Sequence, residues 1–308
     1  MRWGYCCIAL GLENSSTAHT VTVTNIKRIP ERADRFSRLE QIARENLKNT
    51  IRLLRYNKAH DIMMYRFSSQ LVPLATHEES DGWNYPLILA DAFQEVGEVV
   101  HDTGMRVSTH PGQHTVINSP SASAWELAQK DLDYHDKVLT GMGLDNHAIM
   151  VVHVGGAYGD KKQSASRFVE RFKMLPLTVQ NRIVVENDDR SFTAEDVLDI
   201  CRAIERPMVL DIHHQRCLVK DERWLTLVPE IFATWGGVTP KVHISSPRND
   251  QDPRSHANDV DPDYFLSFVE KWENVDFDVM VEAKNKDLAL FHLREAVEAR
   301  QKTKMPLA

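Results

Sequence analysis

Apolar runs of strand length recur along the chain, and stretches with helical spacing separate them. The strand-like runs are RWGYCCIAL (2–10), MMYRFSS (63–69), MRVSTH (105–110), AIMVVHV (148–154), RIVVEN (182–187), PMVLDIH (207–213), KVHISS (241–246) and FDVMVEA (277–283). Between the first two, RFSRLEQIARENLKNTIRLLRYN (35–57) sets Leu39, Ile42, Leu47, Ile51 and Leu54 on one helical face. SFTAEDVLDICRAI (191–204) opens with a Ser or Thr cap and an acidic first turn, and DLALFHLREAVEAR (287–300) closes the series. Near-continuously apolar strands separated by helices indicate a parallel sheet. Eight such units in 308 residues predict an α/β chain, a single (β/α)8 TIM barrel over residues 1–308. An open, doubly wound sheet is the competing arrangement. It more often carries a glycine-rich first turn, and GLENSS after the first run is no dinucleotide fingerprint.

The apolar pattern breaks in a regular way. The ends of six successive runs carry His110, His153, Glu186, Asp211, His243 and Glu282, about one strand–helix unit apart. In VLDIHHQ (209–215) the break is abrupt: a buried strand ends on Asp211, with His213 and His214 just beyond. The C-terminal ends of parallel barrel strands converge on the face that holds active sites. A lone His or Glu there is more often an ordinary loop residue, but six in succession on one rim predict a site. His256 lies in the loop after the seventh run. Imidazoles and carboxylates without cysteine favour zinc, manganese or iron over a thiolate centre. The donors exceed what one tetrahedral ion uses, so the expectation is a multinuclear site with Glu186 as a bridge and Asp211 and His214 as ligands. His213, pointing differently, is expected to be supporting or structural.

Composition adds limits. The chain is 42% hydrophobic and 26% charged, with no apolar run long enough to span a bilayer. The first residues do not read as a signal peptide. Cys6, Cys7, Cys201 and Cys217 lack paired metal spacing and read as reduced, packed thiols of a cytoplasmic protein. The net charge of −7 argues mildly against nucleic acid as partner, although bound cations would reverse the local balance. VGGAYGDKKQS (154–164) lacks the phosphate-loop order but offers Lys161 and Lys162 to a phosphate backbone. Trp83 and Tyr85 in DGWNYP (81–86) are candidates for base stacking, with packing under a helix start the commoner role.

Taken together, RWGYC, STHPGQH, VVHVGGAYGDK, VVENDD, LDIHHQ, KVHISSPR, SHANDVDPD and VEAKNKD resemble, in order, the ultraviolet damage endonuclease family, from about residue 1 to 290. The resemblance implies a TIM barrel related to endonuclease IV enzymes. It implies a nuclease that nicks double-stranded DNA immediately 5′ of cyclobutane dimers and 6-4 photoproducts, leaving a 3′-hydroxyl and a 5′-phosphate. It implies two or three ions, manganese first, with zinc, magnesium or cobalt as alternatives. By position, His110, His153 and Glu186 would hold one ion; Glu186, Asp211, His243 and Glu282 a second; His214 and His256 a third. Catalytic roles would fall to Glu186, Glu282 and Lys241, a lysine that the family can carboxylate into an extra ligand. Endonuclease IV enzymes have an aspartate where Arg254 stands here, and the family's Gln-Tyr lesion probe is here Gln113-His114. Tyr5 matches a tyrosine near the lesion pocket, and Arg248 and Lys284, with Lys161 and Lys162, are the expected rim cations. A monomer without membrane association is expected.

Two rival readings differ in class. A sugar isomerase or epimerase of the same architecture usually uses Glu, Asp, His and Glu around one ion, leaving His110, His153 and His256 surplus. A non-enzymatic damage sensor would need probes without a complete hydrolytic centre. Metal stoichiometry separates the first, and nicking of irradiated plasmid the second.

Overall fold

The computed structural model describes residues 1–272 and 274–304, the side chains of 301–304 excepted. Eight parallel strands close into a barrel: β1 (Trp3–Cys6), β2 (Met64–Arg66), β3 (Arg106–Thr109), β4 (Ile149–His153), β5 (Ile183–Glu186), β6 (Met208–Asp211), β7 (Lys241–Ile244) and β8 (Asp278–Val281). Each falls inside the run that predicted it but is shorter, because the runs extend into loops. At β1 the reason is local. Cys7 adopts a left-handed backbone (φ 68°), which ends the strand at Cys6.

The helices also follow the pattern. Arg32–Ala59 buries Leu39, Ile42, Leu47, Ile51 and Leu54. Ala194–Ile204 is capped by Thr193, which exchanges hydrogen bonds with Asp196 in a capping box. Lys286–Lys304 is the last helix. Among the described residues, no helix is long and apolar enough to cross a membrane, and all four cysteines are free.

Strand alternation sorts side chains between two cores. Outward residues such as Tyr65, Val152, Val185, Leu210, Val242 and Val279 join the large core beneath the helices. Inside the barrel lie two small apolar clusters, Ile149, Val151, Val184, Val209 and Trp235 on one side and Cys6, Met64 and Met280 on the other. Gly4 belongs to this interior because a Cβ there would come within 2.5 Å of the Met64 Cβ. The lower end is closed by charge. Asp278 accepts from Arg106 (2.7 Å) and pairs with Arg2 (2.8 Å). The interior is therefore filled below and polar above, which directs chemistry to the C-terminal rim.

Candidate metal centre

The same alternation that buries Val184 and Val209 brings Glu186 and Asp211 inward one layer higher. The register sets His153 beside Glu186 and Asp211 beside His243. His110 follows β3 directly and Glu282 follows β8.

Glu186 is the hub, and it is 1% exposed. Its Oε2 faces His110 Nε2 at 3.3 Å and His153 Nε2 at 3.6 Å. Its Oε1 faces His243 Nδ1 at 2.7 Å and His214 Nδ1 at 3.8 Å. His243 Nδ1 also lies 3.0 Å from Glu282 Oε1. Two sets of donor atoms result, each set mutually within 4.8 Å: His110, His153 and Glu186, and Glu186, Asp211, His243 and Glu282. One carboxylate belongs to both.

Local structure fixes Asp211. Asp211 caps the short helix Ile212–Leu218, its Oδ1 accepting from the His214 amide (2.7 Å). That leaves Oδ2 buried without a hydrogen-bond partner. Asn187 bonds the Asp211 backbone twice, donating to its carbonyl and accepting from its amide, both at 2.9 Å. His153 Nδ1 and His243 Nε2 are likewise buried and unpartnered. Orphaned donors and acceptors at this density carry a steep desolvation cost unless something binds them. The residues fit divalent cations held by nitrogen and oxygen.

The electrostatics point the same way. Burial pushes His153 down to about 4, so its imidazole is neutral near pH 7. Burial also disfavours charge on His214, but Asp211, Glu186 and Glu282 outweigh it and raise the group to about 9. His243 is raised by the same balance, with Glu186 as its chief anionic neighbour. Glu186 stays well below the usual carboxylate range despite burial, because His243 and His153 face it. An imidazole must shed its proton to ligate. His243 is the raised imidazole that belongs to a donor set, so ion binding by metal-free protein should tighten as pH rises above the ordinary imidazole range, with proton release. Calorimetry in two buffers of different ionisation enthalpy measures that release; affinity independent of pH above neutrality would contradict it.

The other expected residues divide. His214 and His256 rings lie 6.0 Å apart, but no third set of three donors forms among the described residues, and Arg254 supplies none. His213 turns away, its Nδ1 3.4 Å from the Tyr264 hydroxyl and its Nε2 3.4 Å from the Arg254 carbonyl. Lys241 occupies the inward position below His243, fully buried, its amine unpartnered. Burial, then Arg106 and Arg66, hold its pKa well below the ordinary value. Gln113 and His114 sit exposed beyond His110. Lys162, Arg248 and Lys284 are exposed, Arg248 lying 3.7 Å from Asp252, whereas Lys161 is tied to Asp196 at 2.5 Å.

Tyr5 is a correction. It is fully buried and faces outward from β1, its hydroxyl donating to Asn57 Oδ1 at 2.6 Å on the helix Arg32–Ala59. Strand alternation gives the inward places to Gly4 and Cys6, so Tyr5 cannot line a lesion pocket. Trp83 and Tyr85 are packed as well, Trp83 against Phe36.

Sequence reasoning missed one residue of the centre. Arg66, on β2, pairs closely with Glu282 inside the barrel; a cation within an apolar strand run was the available signal.

The family follows from the whole chain. Residues 1–307 match the family described as UV-endonuclease UvdE. The chain belongs to the UvdE family of UV endonucleases. A UV DNA damage endonuclease of Bacillus cereus (strain G9842) is 38% identical over 303 residues, 97% of this chain and 95% of its own. The crystal structure of SacUVDE matches with a TM-score of 0.87 and 27% identity over 99% of this chain and 100% of that one. Endonuclease IV from Thermus thermophilus gives 0.57 at 13% identity over 97% and 100% of the two chains, a likeness of fold alone. UvdE membership removes the ground for the isomerase reading, and His110 and His153 are not surplus in this UvdE barrel: both face Glu186.

Proposed function

We propose that this UvdE-family chain is a metal-dependent repair nuclease that incises DNA immediately 5′ of cyclobutane dimers and 6-4 photoproducts, leaving a 3′-hydroxyl and a 5′-phosphate. The observation that carries the reading is Glu186, whose two oxygens face two separate donor sets at the open end of the barrel. His110, His153 and Glu186 would hold one ion, and Glu186, Asp211, His243 and Glu282 a second; His214 and His256 border a third position. Manganese is the ion the family resemblance implies first, and the carboxylate oxygens of the second set suit it. Divalent ions, when bound, supply Lewis acidity toward the scissile phosphate and acidify water.

The remaining work belongs to side chains of this protein. Asp211, fixed through one oxygen and through Asn187, keeps its second oxygen aimed into the site. His153 offers a neutral lone pair at pH 7. Lys162, Arg248 and Lys284 offer positive charge to phosphates on a protein of net charge −7. Gln113 and His114 would enter the duplex beside the lesion. A crosslinked dimer stacks and pairs poorly, so it costs less to extrude than normal bases.

The test is incision of a duplex oligonucleotide carrying one defined dimer, with Mn2+ and with a chelator. A single cut 5′ of the dimer, abolished by chelation and restored by Mn2+, is expected. Cutting elsewhere, or equal cutting of the undamaged duplex, would overturn the assignment.

A further inference from the structure

Gly112 to Thr115 forms a closed turn, with the Thr115 amide donating to the Gly112 carbonyl at 2.9 Å. Gln113 and His114 are its two central residues and both are exposed. The turn does not rest on its own hydrogen bond alone. Asp131, on the helix Ala122–Gly141, accepts from the Gly112 amide at 3.1 Å and from the Thr115 hydroxyl, both at the same oxygen, Oδ2. One carboxylate thus holds the first and the last residue of the turn. Its other oxygen faces the buried His135 imidazole, 4.0 Å away. Hydrogen bonds to an ionised acceptor are about twice as strong as neutral ones.

We infer that Asp131 is a positioning residue for damage recognition: it clamps the Gly112–Thr115 turn so that Gln113 and His114 meet the duplex as a rigid wedge. The inference rests on the reading of Gln113 and His114 as probes. A wedge that must be ordered at each encounter loses part of its binding energy to that ordering. A preformed one does not. The clamp lies on a helix and a turn and contributes no atom to either donor set, so metal content separates an effect on recognition from one on the ions.

The experiment compares four variants with the parent protein: Asp131→Ala, Asp131→Asn, Gln113→Ala with His114→Ala, and all three alanines together. Each is assayed for single-turnover incision on matched duplexes with and without a dimer, for metal content, and for amide exchange at residues 113–115. Asp131→Ala should lower the preference for damage roughly tenfold and speed exchange across the turn, with metal content unchanged. Asp131→Asn, which keeps an acceptor oxygen in place, should recover most of both. Adding Asp131→Ala to the Gln113 and His114 changes should lower the preference no further, since both act through one element. If Asp131→Ala keeps the parent preference while the probe variant loses it, the clamp is wrong and the probes stand. Additive losses would also overturn the clamp. If the probe variant itself keeps the preference, the probe reading falls, and the exchange rates still decide whether Asp131 holds the turn.

Discussion

Glu186→Gln should lower incision at least about a thousandfold, roughly 4 kcal/mol of barrier, while the barrel stays folded. The amide keeps the shape of the carboxylate and removes its charge. Its nitrogen would face either the His110 and His153 pair or His243, where an acceptor is needed. Each donor set then loses its shared anion, and the bound ions should fall below the parent stoichiometry. Single-turnover incision together with metal analysis and circular dichroism measures all three. A folded variant with the parent ion content and activity within tenfold would remove Glu186 from the mechanism.

Arg66→Met should destabilise the metal-free protein by about 3 kcal/mol, the size expected when one partner of a buried ion pair is removed. Arg66 and Glu282 are both largely buried, and their contact sits inside the barrel. Glu282 lies well below the usual carboxylate range although burial opposes this, with Arg66 the largest favourable influence and His243 the next. The loss should shrink when Mn2+ is present, because a bound cation would offset the same charge. Urea unfolding with chelator and with Mn2+ gives the two values. An equal loss in both conditions would show that the guanidinium serves packing rather than the charge on Glu282.

The barrel and most of its rim were legible in the sequence because both depend on short-period patterns. Apolar runs of strand length located every strand, and a polar residue at the end of such a run marked each inward donor. What was not legible depends on which face a residue occupies. Tyr5 and Gly4 are neighbours in one strand, and only the register with β2 and β8 shows that Tyr5 turns toward Asn57. Arg66 was hidden for the same reason: inside a run such as MMYRFSS a cation reads as an irregularity until alternation turns it toward Glu282. Asp131 was hidden by distance along the chain, since its bonds to Gly112 and Thr115 join a helix to a turn.

The donors and the turn sit on different kinds of support. Glu186, Asp211 and His243 are locked into the ladder of the closed barrel, where a shift of one strand disturbs its neighbours. The Gly112–Thr115 turn is held outside that ladder, by its own hydrogen bond and by one aspartate. Substitutions in the turn therefore disturb fewer neighbours than substitutions among the donors. On the role proposed above for Gln113 and His114, the turn with its Asp131 post is the segment to exchange when such a barrel is to be redirected toward another kind of damaged DNA.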